Sequence, residues 1–356
     1  MESVVQINWA FSNKRQTAYA TALADDDLDQ SHPFEGADIA DHSPNMSDNA
    51  AQFGKGHEFA TRNELLSWDL KFRRAFQATT SMLGWAFAFH LGKVATAALG
   101  GSPAAYKHTM EYQDPNGAGY YGSGRQQPVT TIVEQVTSGL VRKFPSVQVQ
   151  AVEVTGQLND WVRLSVDLMG SGKKTDVVPV SGYTFPESGE GVLLRHASLT
   201  FTENSADISC SIRSFRFRSE MQYAEADGYC PGSGYLADND PTSGQVRGKL
   251  EFTRRACLLE FVVNAAHDSA LHAALAASTP MEAVLEIEGA TVSGANSHKL
   301  TITVPKYKYR AAPIGADGDI MTYQVSTVIF YDATLANPFE VEVVNATATY
   351  LDEPGA

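Results

Sequence analysis

The sequence predicts a mainly β protein, and three observations carry that reading. Apolar and polar residues alternate in run after run from residue 131 to the C-terminus, Gly and Pro separate the runs, and only two stretches have helical character. The cleanest alternation comes earlier, where Leu66, Trp68, Leu70 and Phe72 interleave with Ser67, Asp69, Lys71 and Arg73. Such a segment places one face in a core and the other in water.

In chain order, residues 3 to 13 begin as a short strand. The stretch from about 20 to 60 has no period of two or 3.6, contains Pro33, Gly36 and Pro44, and is expected to stay mobile until it meets a partner. After the strand at 66–73, Met82, Leu83, Trp85, Phe87, Phe89 and Leu91 are too apolar all round for a surface, and Ala86 and Ala88 favour helix. A buried helix is expected at about 79 to 99, ending at Gly100-Gly101. Residues 101 to 130 hold so many glycines and prolines among their tyrosines that a long loop or irregular hairpin is expected. Strands follow at 147–151 and 162–168, then at 192–203, 208–218, 246–253, 283–288, 299–304, 320–330 and 339–350. A short amphipathic helix is expected at 267–278, where Ala270, Leu271, Ala274 and Leu275 share a face.

The 356 residues allow two domains or one large β-rich domain. No apolar run approaches the roughly 18 residues of a membrane span, and no secretory signal is visible at the start. Cys210, Cys230 and Cys257 are too few and too scattered for a disulfide framework or a zinc site, and read as reduced thiols. The net charge is 27 − 41 = −14, which disfavours nucleic-acid binding over most of the surface. No Lys or Arg lies between Arg15 and Lys55, a span that holds eight acids and reads as an acidic arm.

Motifs that could carry chemistry fail on context. Gly117, Gly119 and Gly122 match GxGxxG but neither follow a strand nor open a helix, so no nucleotide cofactor is implied. Gly170 to Thr175 resembles part of a phosphate-binding loop, yet Asp167 stands where its leading glycine belongs. His267 and His272 are five apart, lack the spacing of a metalloprotease pair, and read as helix-surface histidines. No GxSxG elbow or activated cysteine supplies a nucleophile, so no catalytic residue is named and no enzyme is expected. The sequons at Asn45 and Asn345 read as chance matches. Arg213, Arg216 and Arg218, interleaved with Phe215 and Phe217, are expected to form salt bridges to acidic neighbours or to another subunit.

The order of these features resembles the major tail tube proteins of siphophages. The resemblance rests on the opening strand VVQINWAF, on ELLSWDLKFRR followed by MLGWAFAFHLG, and on the series VRGKLEF, LHAALAAS, AVLEIEG, KLTITVPKYKY, DGDIMTYQVSTVIFYD and PFEVEVVNAT. It implies a β-sandwich or half-open barrel with one or two flanking helices and long loops. Residues 1–60 would be an N-terminal strand and acidic arm, and 61–356 one enlarged tube domain. Subunits would close into hexameric rings, with a pseudo-hexameric trimer as the alternative if two units are fused, and the rings would stack into a hollow tube. The implied partners are further copies of the chain, a tape-measure protein, and tail terminator and tip proteins. DNA would be transient cargo in the lumen, no membrane would be involved, and the tube would be assembled in the bacterial cytoplasm as part of the virion tail.

The positions matching the family's reaching segments are the arm, about 14 to 60, and the loop, about 101 to 130. The inter-subunit contact candidates within them are Asp25, Asp26, Asp27, Asp29, Tyr112, Tyr120, Tyr121 and Arg125. The rival reading is a β-sandwich carbohydrate-binding or adhesive virion module, with Trp161, Tyr120 and Tyr121 as its aromatic platform.

Overall fold

The computed structural model describes residues 8–19, 21–28, 30–32, 34–35, 39–48, 59–60, 62–137, 140–176, 198–203, 206–223, 246–248, 250–264, 276, 280–317 and 319–354. Among them the chain runs β1 (Asn8–Ala10), β2 (Asp41–Asp48), β3 (Asn63–Gln77), α1 (Thr80–Leu91), β4 (Gly92–Gly100), β5 (Ala105–Tyr112), β6 (Thr130–Thr137), β7 (Leu140–Gln157), β8 (Arg163–Gly170) and β9 (Thr175–Asp176). It continues through β10 (Ser198–Glu203), β11 (Ala206–Asp207), β12 (Ile212–Tyr223), β13 (Phe252–Asn264), β14 (Met281–Ser293), β15 (Asn296–Ala311), β16 (Ile314–Asp317), β17 (Ile320–Ile329) and β18 (Glu340–Asn345). The protein is mainly β, as expected.

Among the described residues every strand pairing is antiparallel. One layer runs β2–β3–β8–β7–β12–β13–β17 and the other β10–β14–β15–β18–β5–β4. They join because β15 pairs with β18 through Lys299–Thr303 and with β17 through Tyr307–Ala311. The sheet therefore folds back on itself as a half-open sandwich. β7 belongs to two pieces of sheet. Its first half pairs with β6 and β9, its second with β8 and β12, and the change falls at Ser146, where φ is 58° just after Pro145.

Between the layers lies α1, which touches β7 on one side and β18, β5, β4 and β15 on the other. Every residue from Thr80 to Leu91 except Ser81 is buried, which explains its lack of a polar stripe. Thr79 caps its start by accepting from Met82 N–H at 3.3 Å. The expected helix at 79–99 is corrected here: it stops at Leu91, and 92–100 is strand β4. Gly92 takes φ 81° and bonds back to Ala88 O, and the β-branched Val94 and Thr96 that follow suit a strand.

The long loop or irregular hairpin expected at 101–130 is strand in part. Residues 105–112 form β5, a hairpin partner of β4, and the irregular part is 113–129. The arm expected to await a partner is folded in part on its own chain, since apolar burial suffices to order it. Leu23, Leu28 and Ala40 are buried, Trp9 stacks on Phe11 at 4.6 Å and on Phe76 at 5.4 Å, and β2 pairs with β3. Both β1 and β2 are hydrogen-bonded to strands of the 61–356 segment. The strand expected at 246–253 begins at Phe252 and runs on to Asn264. The helix expected at 267–278 lies, apart from Ala276, outside the described residues.

Candidate assembly surfaces

Edges come first, because an edge strand offers a row of backbone donors and acceptors to any chain that can reach it. Among the described residues, β2 pairs with β3 alone and β4 with β5 alone, at opposite ends of the folded sheet. Side chains of β4 from Ala95 to Gly100 are exposed, and so are those of β2 from Pro44 to Asp48. Neither edge is covered by another described element, and Pro44, which lacks an N–H, falls within β2, as suits an edge strand.

A second surface lies on the hairpin of β16 and β17 and the turn after it. Ile314 is 60% exposed, Met321 58% and Tyr331 64%, with Ile320, Val328 and Phe330 also exposed. Beside Val328 and Phe330, on β15, stand Lys306, Lys308 and Arg310, with Lys308 directly across from Val328. Lys306 reaches Asp332 at 2.6 Å. From Lys299 to Ala316 the chain holds four cations and no acid. Sequence reasoning assigned 320–330 to a strand and missed this surface. The signal was the unbroken run Val328-Ile329-Phe330-Tyr331, in which alternation cannot bury every member.

The outward face of β3–β8–β7–β12–β13 carries a ladder of charges. Arg73 reaches Glu153 at 3.2 Å and Asp167 at 3.6 Å; Arg216 bonds Glu153 at 2.7 Å and Glu260 at 3.2 Å; Arg218 bonds Asp167 at 2.8 Å and Glu220 at 3.0 Å. Burial alone would raise the Glu153 carboxyl, but Arg216, Arg73 and Arg218 together hold it below the usual range. Arg216 and Arg218 thus sit in salt bridges within the chain, one of the two roles expected of them. Three arginines face four carboxylates, so the ladder sums to 3 − 4 = −1. At its end a hollow of about 360 Å³ opens over Ser214, Arg216, Glu260 and Gln324, rimmed by Ala311 and Pro313.

The structure separates the residues singled out from sequence. Asp25 pairs with Lys143 at 2.5 Å and Asp27 with Lys14 at 2.8 Å, so both are engaged within the chain. Asp26 and Arg125 are exposed, and Asp29 lies outside the described residues. Tyr112 is a core residue, 4% exposed, against Phe339 and beneath the Arg255 guanidinium. Tyr120 and Tyr121 turn inward: Tyr120 donates to Gly92 O at 2.8 Å and lies under Arg15, and Tyr121 donates to Gln16 O at 2.8 Å while accepting from Val129 N–H. The Gly/Tyr loop therefore clasps the start of the arm, whose other side is held by Leu351 N–H donating to Asn13 O.

Inside, His90 is buried, with Nδ1 3.0 Å from Val149 O and Nε2 2.7 Å from Ser219 Oγ, which in turn meets the Tyr112 hydroxyl at 2.5 Å. Burial drives its pKa down to about 4, with Arg255 and Arg218 pushing the same way against the Val149 bond. Neutral His90 donates from Nδ1 and accepts from Ser219, and so closes the chain of bonds. Among the described residues no three His, Cys, Asp or Glu side chains converge as metal ligands would, and no helix is long and apolar enough to cross a membrane. Set against known proteins, the chain matches no family model and no curated relative.

Proposed function

We propose that this chain is a non-catalytic structural subunit that associates with copies of itself into rings and stacked rings, forming the hollow tube of a phage tail through which DNA passes. The observation that carries this reading is the folded antiparallel sheet with exposed edge strands, β2 and β4, at its two ends. A long sheet with uncovered edges is an aggregation hazard in a monomer and a joint in a ring, because closure gives each edge a partner. The apolar side chains exposed at the two ends of β17, Ile314, Ile320 and Met321 at one and Val328, Phe330 and Tyr331 at the other, support the same reading, since exposed apolar side chains grouped in this way mark contact sites. The folded antiparallel sheet with its long loops is of the mainly β kind that the tail tube resemblance implies, while the helix departs from it by lying between the layers and not at their flank. The aromatic platform of the carbohydrate-binding alternative gains no support from Tyr120 and Tyr121, whose hydroxyls bond their own chain.

Negative-stain electron microscopy and light scattering across a concentration series test the proposal. Rings or hollow tubes of uniform diameter are the expected result, with the subunit count per ring separating a hexamer from a trimer. A monomer at every concentration, including on mixing with a preformed tail tip as initiator, would overturn it.

A further inference from the structure

The guanidinium of Arg255 lies 4.3 Å over the Tyr112 ring and 4.2 Å over the Phe252 ring, where the end of β5 meets the start of β13. A guanidinium carries five N–H donors. Among the described residues Gln113 O accepts one of them at 2.8 Å, and Nε is buried without a partner. Contacts with the rings use the faces of the group and leave its edge, where the N–H bonds lie. The backbone brings Arg125 alongside: Phe252 N–H donates to Arg125 O at 3.0 Å, and Gln113 Nε2 donates to Gly124 O at 2.7 Å and to Gln126 O at 2.9 Å, on either side of Arg125. Burial is the largest influence against the Arg255 charge, and Arg125 adds to it. Asp114 acts in the opposite sense, yet among the described residues neither it nor any other acid forms an ion pair with Arg125 or Arg255. Two like charges held together at a half-buried spot are costly, and an anion between them lowers that cost.

We propose that Arg125 and Arg255 together bind an oxyanion, a carboxylate or a phosphate, where β5, β13 and the 113–129 segment meet. Planar guanidinium groups match the paired oxygens of either anion, and their N–H bonds to a charged acceptor are the stronger kind. The bound group ties the 113–129 segment to β13 and stabilises the folded chain by mass action. An anion free in solution and an Asp or Glu side chain of a second copy offer the same chemistry, and the test separates them. The site goes beyond the self-assembly reading and does not depend on it.

Inorganic phosphate and acetate, titrated into the full chain below any concentration at which it assembles, test the site, with sodium chloride at matched ionic strength as the control. Thermal melting reads both anions, and the phosphorus NMR line width reads phosphate directly. A saturable rise in Tm beyond that given by chloride is expected, with broadening of the phosphate line. Arg125→Gln, at an exposed position, should weaken binding about tenfold, and Arg255→Gln should abolish it. Where Arg255→Gln fails to fold, Arg125→Gln carries the test alone. The absence of any saturable effect beyond chloride, or an effect that Arg125→Gln leaves unchanged, would overturn the site and leave the self-assembly reading standing. Where the wild type assembles, phosphate that disperses the assemblies at constant ionic strength identifies a neighbour's carboxylate as the occupant, and assemblies that it leaves intact identify a free anion.

Discussion

Arg74 donates to Glu134 across 2.5 Å, and neither side chain is more than 2% exposed. The same carboxylate takes Arg142 on its other oxygen and the Ala40 N–H at 3.0 Å, while the Arg74 guanidinium lies 4.7 Å over Phe34. A buried charge tolerates this setting only when its partners are complete. The cluster ties the residues around Phe34 and Ala40 to β3, β6 and β7.

Removing one member should therefore expose the cost of the others. Glu134→Ala is expected to destabilise the fold by about 3 to 5 kcal/mol, by leaving two guanidiniums without their carboxylate. Urea unfolding measures the loss, and limited proteolysis should find faster cleavage between residues 30 and 45. Wild-type stability in the variant would show that the pair is bystander to the arm's order.

Gly84 meets Tyr350 so closely that a Cβ there would lie 2.3 Å from the hydroxyl oxygen. That hydroxyl cannot easily yield, since it donates to Ser81 O and accepts from Asn345. Gly84→Ala should cost about 1 to 3 kcal/mol as overpacking, and should cost less in a Tyr350→Ala background. Additive losses in that double-mutant cycle would remove the clash as the cause.

His90 makes stability fall in mild acid. Its folded pKa, about 4, lies below the ordinary 6.5, so between those values the unfolded chain binds the extra proton. Stability is present in full above pH 6.5 and drains as pH falls toward 4, by about 3 kcal/mol in all. His90→Gln should be less stable at pH 7.5 and show a flatter dependence across that window. A pH profile as steep as the wild type's would assign the effect to other groups.

The cysteines should differ in reactivity. Cys210 is exposed, whereas burial pushes the Cys257 thiol up to about 11. In a Cys230→Ser background at pH 8, a thiol reagent should modify one site quickly and the second roughly a hundredfold more slowly. Mass mapping that finds Cys257 labelled first would contradict the packing of β13.

Tyr121 holds the loop to the arm with two bonds, to Gln16 O and from Val129 N–H. Tyr121→Phe leaves the ring in place and should cost about 1 to 2 kcal/mol. Hydrogen exchange should speed up at Val129 and its neighbours. Unchanged exchange there would mean that the clasp is made by packing alone.

Alternation by itself determined the fold class, because a half-buried strand places every second side chain toward a core: Leu164, Val166 and Leu168 are buried as their alternation requires, whereas of Leu66, Trp68, Leu70 and Phe72 only Leu70 is buried and Leu66 is exposed, so there the pattern gave the strand and not its burial. The buried helix was legible for a related reason, since Trp85, Phe87 and Phe89 leave no polar face. Its end was not. Whether Lys93 to Leu99 continue a helix or start a strand is decided by β5 lying alongside, and propensity for Val-Ala-Thr-Ala-Ala is too weak to choose. The acidic arm read as a segment awaiting a partner because its acids are visible in sequence, while Lys143, Arg142 and Arg74, which meet Asp25, Ala40 O and the Phe34 ring within it, lie 118, 102 and 40 residues away along the chain. Tyr112, Tyr120 and Tyr121 look alike in sequence. Only tertiary structure sent the first into the core and turned the other two onto the arm, because burial is a property of what packs opposite and is set by contacts that the local sequence does not contain.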